Sequence, residues 1–547
     1  MKKPKLSELT LREKIGQTAV FRSDRYQTLY TENREEFDLV GGVWIWGALD
    51  MKLINMGDVT TNVKLKSDDT YEFLKSVTEN QKIPVIGCMD NGSGITHAFH
   101  DLSPAMGLPM IGATGSAELS YKMGKCKAQE LKCAGARWLW GPEEDLENRN
   151  SSIGLYRKFS DNPDLVIELA NAHNHGIQDQ NVVATAKHFP GSDELEYRDA
   201  HVSQSMMRLS KEDWYKRQGR IFQEVFDDGV MSVMIGHQCF PAVDNRKING
   251  TYLPAVVSSK IVTDLLKEEM GFKGVVITDG IGMEGSLGLF DGDIDKLCVE
   301  SVKAGCDVIL GPGKNYIYAV EKAVLDGYIP ESRIDDACQR VLDMKEKIGL
   351  FENPIEPIVK EDVLAESKAV NQEIIDNGMS LVCDRRNMLP LTPEKAQRVT
   401  IVYVGDRPQM FEDLDVMVDE LYKMGVKTVA KQVGVGDPPD PQNLSANSDI
   451  ILYVADAKDW GMAGFRGETF KTFYRVTMAG MKGRRIGVSI GSPFLYFDYF
   501  EGFDCFANVY QTDEIVLRSC VQALFGKKEF KGGHPFKLIP DGMEVNY

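Results

Sequence analysis

The chain has 547 residues, too many for one ordinary hydrophobic core, so its length predicts two domains, one of them large enough for a barrel. Its 43% hydrophobic and 26% charged residues are ordinary for a globular protein in water. A formal net charge of -18 excludes a nucleic-acid partner, which needs a basic stripe. No apolar run approaches the roughly 20 residues that span a bilayer.

The start, Met1-Lys2-Lys3-Pro4-Lys5, has the basic character of a signal peptide, but Glu8, Arg12, Glu13 and Lys14 interrupt any apolar segment behind it. Thr10-Leu11-Arg12-Glu13 reads as a capping box opening a helix. The expectation is a mature protein that begins here and stays in the cytoplasm. Ten scattered cysteines agree with that address, because none forms a Cys-x-x-Cys pair and several lie in apolar runs, as reduced core thiols do. Eight histidines form no metal box, since His173 and His175 lie two apart on a predicted helix and point to different faces. No metal or organic cofactor is expected.

Up to about residue 350, short apolar runs alternate with longer helical ones. Strands are predicted at Val40–Trp46, Pro84–Cys88, Arg137–Trp140, Val182–Lys187, Val230–Ile235, Gly274–Ile277 and Cys306–Leu310. Helical periodicity marks Ala117–Ala134, Asp164–Gln178, Lys211–Asp228, Ser258–Met270, Ile317–Leu325 and Arg333–Ile348. Repeated βα units of this size imply a parallel sheet, and this many imply a closed (β/α)8-type barrel, with an eighth strand irregular, missing or hidden near the N-terminus. Residues 1–350 are read as this barrel domain. Residues 351–379 are read as a Pro-rich linker and a bridging helix, and 380–547 as a smaller α/β/α sandwich. In that part strands are expected at Val399–Val404, Thr428–Val433, Asp449–Val454 and Arg485–Ser489, with helices at Met410–Met424 and Glu514–Phe525. Gly434-Val435-Gly436-Asp437-Pro438-Pro439 is a loop and not a dinucleotide fingerprint, because prolines stand where a helix would open.

Two strand ends carry the chemistry. The apolar run from Val182 to Ala186 leads into Lys187-His188-Phe189-Pro190-Gly191, and a loop behind it holds Arg198-Asp199-Ala200-His201. The run Gly274-Val275-Val276-Ile277-Thr278 ends in Asp279-Gly280. Charged groups at the C-terminal tips of buried strands are where parallel α/β architectures place active sites. Taken alone, each is equally an ordinary strand exit, a surface loop or a helix N-cap acid. Together, in this order, they resemble glycoside hydrolase family 3, and the Asp-x-His loop resembles its β-N-acetylglucosaminidase branch.

The resemblance implies a retaining exo-acting β-glycosidase that releases β-linked N-acetylglucosamine from a small-molecule or oligosaccharide substrate. It assigns Asp279 as nucleophile, His201 as proton donor and later base, and Asp199 as the carboxylate orienting that imidazole. An imidazole in this role avoids the like-charge repulsion that a second carboxylate would feel beside Asp279. The resemblance also implies that Asp90, Arg157, Lys187 and His188 bind sugar hydroxyls, with His237 near the site. The run Asn91-Gly92-Ser93-Gly94, followed by His97 and Ala98, departs from the branch's Gln-Glu-Gly-Gly and arginines; Ser192 replaces a histidine, and Glu194-Leu195-Glu196 makes the catalytic loop more acidic. Three alternatives stay open: a β-glucosidase, a phosphorylase in which phosphate replaces water, and a non-catalytic sugar-binding or regulatory protein on a degenerate barrel. The sequence sets no oligomeric state.

Overall fold

The apolar runs become strands wherever they find a parallel neighbour. The computed structural model describes residues 1–23, 34–45, 65–79, 81–90, 99–104, 106–146, 149, 157–405, 407, 409–433, 444, 446–457, 474, 477 and 483–539. The predicted segments 91–94, 97–98 and 434–439, and Trp46, lie outside these residues. Among the described residues two compact units are present: 1–105, 120–146 and 166–368 form the first, and 106–119, 147–165 and 369–547 the second.

In the first unit the helix Leu11–Gln17 opens on the expected capping box, with Thr10 accepting from the Glu13 amide and Glu13 accepting from the Thr10 amide. Eight short parallel strands follow: β1 (Ala19–Arg22), β2 (Gly42–Trp44), β3 (Ile86–Met89), β4 (Trp138–Leu139), β5 (Thr185–Phe189), β6 (Ser232–Ile235), β9 (Val275–Thr278) and β10 (Ile309–Leu310). β1 is the strand left open near the N-terminus. Pairing runs β10-β1-β2-β3-β4 in one sheet and β5-β6-β9 in another. Single parallel bridges, Trp138 with Val183 and Ile277 with Val308, join the two sheets at both edges, so the eight strands surround one interior.

Alternate side chains fill that interior. Val20, Ile86, Cys88, Trp138, Val183, Met234, Val275, Ile277, Val308 and Leu310 form one buried cluster drawn from strands around the ring. The indole N–H of Trp138, which a dry core would leave unpaired, donates to Thr185 Oγ1 at 2.9 Å. Between β6 and β9 a hairpin pairs β7 (Lys247–Ile248) with β8 (Thr251–Tyr252). Its tip is Asn249-Gly250, both at positive φ, the requirement of a tight two-residue turn. The predicted helix Lys211–Asp228 divides at Arg217 into Lys211–Lys216 and Gln218–Asp227.

The N-terminal ends of β1, β2 and β3 are tied together by one buried cation. Lys345, near the end of the helix Glu331–Lys347, donates from Nζ to Gln17 Oε1, Gly41 O and Pro84 O, each at 2.8 Å. Burial pushes its ammonium down to about 7, so three oriented acceptors are what make the burial tolerable.

In the second unit a six-stranded sheet runs in the order β11 (Ser380–Asp384), β16 (Cys505–Asn508), β15 (Arg485–Ser489), β14 (Ile450–Ala455), β12 (Arg398–Val404) and β13 (Thr428–Val433). All pairs are parallel except β11 with β16. Val402, Val404, Ile451, Tyr453, Ala455 and Phe506, every second residue of their strands, pack on one face with Leu495, Phe500 and Phe503. The helices Asp415–Lys423 and Glu514–Leu524 are joined through Glu420, which accepts from Gln522 at 2.8 Å. No described helix is long and apolar enough to cross a membrane.

Replacing Lys345 by Met strands the buried Gln17 Oε1 and Pro84 O and leaves Gly41 O with the Ile86 N–H alone. We expect a loss of about 3 kcal/mol or more, read as a lower urea midpoint with an unchanged m-value.

Candidate active site

Every described residue of the candidate site in the first unit lies at the C-terminal end of a barrel strand or in the segment behind it. Asp279, directly after β9, is fixed by backbone on both sides: its own N–H donates to Ile235 O of β6 at 2.8 Å, and the N–H of Ile281 donates to Leu310 O of β10 at 3.0 Å. The Gly280 N–H donates to Asp279 Oδ1 at 2.7 Å. Burial alone would raise the Asp279 carboxyl. The imidazoles of His188, His237 and His201, with the Gly280 N–H, outweigh it and hold the group below the usual carboxylate range.

At the end of β5 the pairing with β6 is irregular between Ala186 and Phe189, and the Lys187–His188 peptide is cis. Lys187 is fully buried; its N–H donates to Glu144 Oε2 at 2.8 Å and its Nζ to Asp90 Oδ1 at 2.7 Å. His188 lies between two acids, with Nδ1 3.1 Å from Asp145 Oδ2 and Nε2 3.8 Å from Asp279 Oδ2. The structure thus brings Asp90, Lys187, His188 and Asp279 into one connected set.

It also adds Glu144 and Asp145, which sequence reasoning passed over. They follow β4 in the run Gly141-Pro142-Glu143-Glu144-Asp145, and three consecutive acids at a strand exit were the available signal. Burial drives the Glu144 carboxyl well above its ordinary value, although the Lys187 N–H and Asn174 Nδ2 both donate to it. Glu143, Asp145 and His188 bring ligand-type atoms within 4.8 Å of one another. Two of the three are already partners in the Asp145–His188 contact, which orients the imidazole.

The Asp199–His201 loop reaches the same place by a different route. His201 Nδ1 lies 2.8 Å from Asp199 Oδ1, and the His201 N–H donates to that same oxygen at 2.8 Å. The bond leaves Nε2 as the nitrogen that points away from the carboxylate. The loop is anchored by Glu196, which accepts from Arg198 Nε at 2.8 Å and the Met206 N–H at 2.8 Å and pairs with Arg208 at 3.3 Å. The acidity of the loop is therefore internal stapling, with Glu194 likewise paired to Arg217. The loop then docks on the turn behind Asp279: the Glu284 N–H donates to His201 O at 3.1 Å. Gly285 permits the approach, because a Cβ there would lie 2.5 Å from Ala200 O and 2.6 Å from Ser203 O.

His237, expected near the sugar, is 1% exposed and bonded through both ring nitrogens to protein atoms, Nδ1 to Ser286 Oγ at 2.6 Å and Nε2 to Gly280 O at 3.1 Å. Arg157 lies in the segment Glu147–Leu165, which clusters with the second unit.

The chain is similar to known proteins. The model of the glycosyl hydrolase family 3 N terminal domain matches residues 10–344. A protein named beta-N-acetylglucosaminidase/beta-glucosidase from Cellulomonas fimi is 26% identical over 457 residues, covering 78% of each chain. A beta-hexosaminidase from Nitrosomonas eutropha is 30% identical over 246 residues, 44% of this chain and 68% of that one. Among solved structures, a beta-glucoside phosphorylase, BglX, is similar with a TM-score of 0.83 at 23% identity, covering 97% of this chain and 94% of that one. A family 3 beta-N-acetylglucosaminidase from Paenibacillus sp. is similar with a TM-score of 0.80 at 24% identity, covering 97% and 99%.

Gly285→Ala adds one methyl group against two backbone oxygens of the Asp199–His201 loop. We expect the loop to be displaced, with kcat on an aryl β-glycoside falling about 10- to 100-fold and the thermal midpoint falling by about a few degrees.

Proposed function

Since the chain belongs to glycosyl hydrolase family 3 and is a β-glycoside hydrolase, its strand-tip acid has a defined task, and we propose that Asp279 is the nucleophile of a retaining exo-β-N-acetylglucosaminidase. One observation carries the reading: a carboxylate fixed by backbone on both sides is followed by the turn that receives the His201 loop, whose imidazole is itself oriented by a carboxylate. Cleavage through an oxocarbenium-like state needs an anion beneath the anomeric carbon and a proton donor beside the leaving oxygen. In the first step Asp279 bonds to the anomeric carbon while His201 Nε2–H protonates the departing oxygen, so the glycosidic C–O pair leaves with the aglycone. In the second step neutral His201 takes a proton from water, which attacks the same carbon and frees Asp279. Asp199 stabilises the imidazolium of the first step and fixes the tautomer that acts in the second.

The proposed sugar clamp is Asp90 with Lys187. The cation is buried and already paired to Asp90, while Asp90 stays 37% exposed, so the carboxylate is presented to hydroxyls with its geometry set. His188 extends the clamp toward Asp279.

The N-acetylglucosamine preference follows the hexosaminidase and N-acetylglucosaminidase names of the relatives. A β-glucosidase or a phosphorylase uses the same first step, and a neutral imidazole base accepts a phosphate nucleophile without charge repulsion; the similarity to the phosphorylase favours keeping that second reading. All ten cysteines are free and nine are buried, which suits a reducing compartment and supports the cytoplasm as its address. The proposed partner is a small-molecule or oligosaccharide substrate.

Assay of p-nitrophenyl β-glycosides of N-acetylglucosamine and of glucose, with and without phosphate, separates these readings. We expect the first substrate to be preferred, and preference for the glucoside overturns the assignment. Asp279→Ala should lower kcat/KM by about 10³-fold or more, and azide should restore turnover with an α-glycosyl azide as product. The carboxyl of Asp279 is held below its ordinary value, so the acid limb of kcat/KM in the wild type should fall below about pH 4.

A further inference from the structure

We propose that His237 and Ser286 are positioning residues that set the Asp279 carboxylate through the backbone of Gly280. The inference rests on the assignment of Asp279 as nucleophile and adds two residues that touch neither sugar nor aglycone.

The argument begins with hydrogen-bond roles. The Gly280 carbonyl can only accept, so the His237 nitrogen 3.1 Å away, Nε2, carries a proton. Burial pushes the His237 ring down to about 4, with Asp279 pulling the other way and His201 and His188 adding to the burial. At neutral pH the ring is therefore uncharged, and Nδ1 holds a lone pair. A buried lone pair needs a donor, and the Ser286 hydroxyl, 2.6 Å away and fully buried, supplies it. A single direction of donation results: Ser286 O–H to His237 Nδ1, His237 Nε2–H to Gly280 O, and Gly280 N–H to Asp279 Oδ1 at 2.7 Å.

One side of the Gly280 residue is thus held by an imidazole while the other aims at the nucleophile. A carboxylate accepting an aimed N–H has one oxygen committed, which fixes the plane of the group and leaves the other oxygen for the sugar carbon. Because His237 is 1% exposed, direct sugar binding does not explain its place. Ser286 also sits one residue after Gly285, where the His201 loop docks, so the same turn carries the support for both reacting groups.

Ser286→Ala removes the donor and leaves the backbone in place. On whichever aryl β-glycoside the wild type hydrolyses, we expect kcat to fall about 10- to 100-fold with KM within about twofold. The acid limb should move to higher pH, because Asp279 loses alignment with its N–H donor while the imidazoles of His188 and His201 remain. Ser286→Thr, which keeps the hydroxyl, should recover most of the loss. Two spectroscopic readouts do not depend on turnover. The ¹⁵N imidazole spectrum of wild-type His237 should show one neutral tautomer protonated at Nε2, and the ¹³C titration of Asp279 should shift upward in Ser286→Ala. A wild-type ring protonated at Nδ1, or averaged between tautomers, overturns the proposal. So does a Ser286→Ala enzyme with unchanged kcat and an unmoved Asp279 titration, or one whose loss lies wholly in KM. A wild type that turns over no aryl glycoside defeats the hydrolase reading instead, while the two spectra still decide the pair.

Discussion

The backbone of Gly280 is the point on which the site depends. Its N–H meets the Asp279 carboxylate, its carbonyl meets the ring of His237, and the residues immediately behind it receive the loop that carries His201. Seven residues, Gly280 to Ser286, therefore hold two groups that reach the site from strands far apart in sequence. A loop positioned only by its own chain would leave an imidazole free to wander by about an ångström or more, enough to remove most of the effect of the proton transfer proposed for it. Backbone contact with a turn that is itself locked to β6 and β10 removes that freedom.

Electrostatics follow the same division of labour. Four acids, Asp90, Glu144, Asp145 and Asp279, converge near one buried lysine and several imidazoles. Anions gathered in a buried space repel one another unless cations or N–H donors separate them. Lys187 separates Asp90 from Glu144, giving its side chain to one and its backbone N–H to the other. His188 separates Asp145 from Asp279. Glu144, in the driest position, has its carboxyl pushed up by burial, whereas Asp279, facing imidazoles, has its carboxyl pulled down. Two carboxyls of one site thus take opposite protonation tendencies from their surroundings.

At the other end of the strands Lys345 plays a purely structural part. Its three acceptors come from the approaches to β1, β2 and β3, segments apart in sequence that are brought together by parallel pairing of the strands. The barrel is thereby fastened at its N-terminal end and carries the candidate site at its C-terminal end, an arrangement that lets the strand tips carry charged groups while stability is secured elsewhere.

Much of this was legible in the chain itself. Apolar runs bounded by helical periods placed seven of the eight barrel strands, and the capping box at Thr10 appeared as read. The first barrel strand, Ala19–Arg22, was left open because it follows its helix after a single residue, without a turn signal. Cys505–Asn508 escaped notice as a strand, being four residues long beside an aromatic helical stretch, and the Asn249-Gly250 hairpin is only two pairs deep. Sequence determined which residue types stand at strand ends, because periodicity and strand-breaking residues are local properties. Tertiary structure decided which of those tips meet, that Glu144 and Asp145 join them, and that His237 faces Gly280 and Ser286 instead of open solvent. Those outcomes depend on which strands become neighbours and how deeply each side chain is buried, and both are set by packing across separations that no local pattern records.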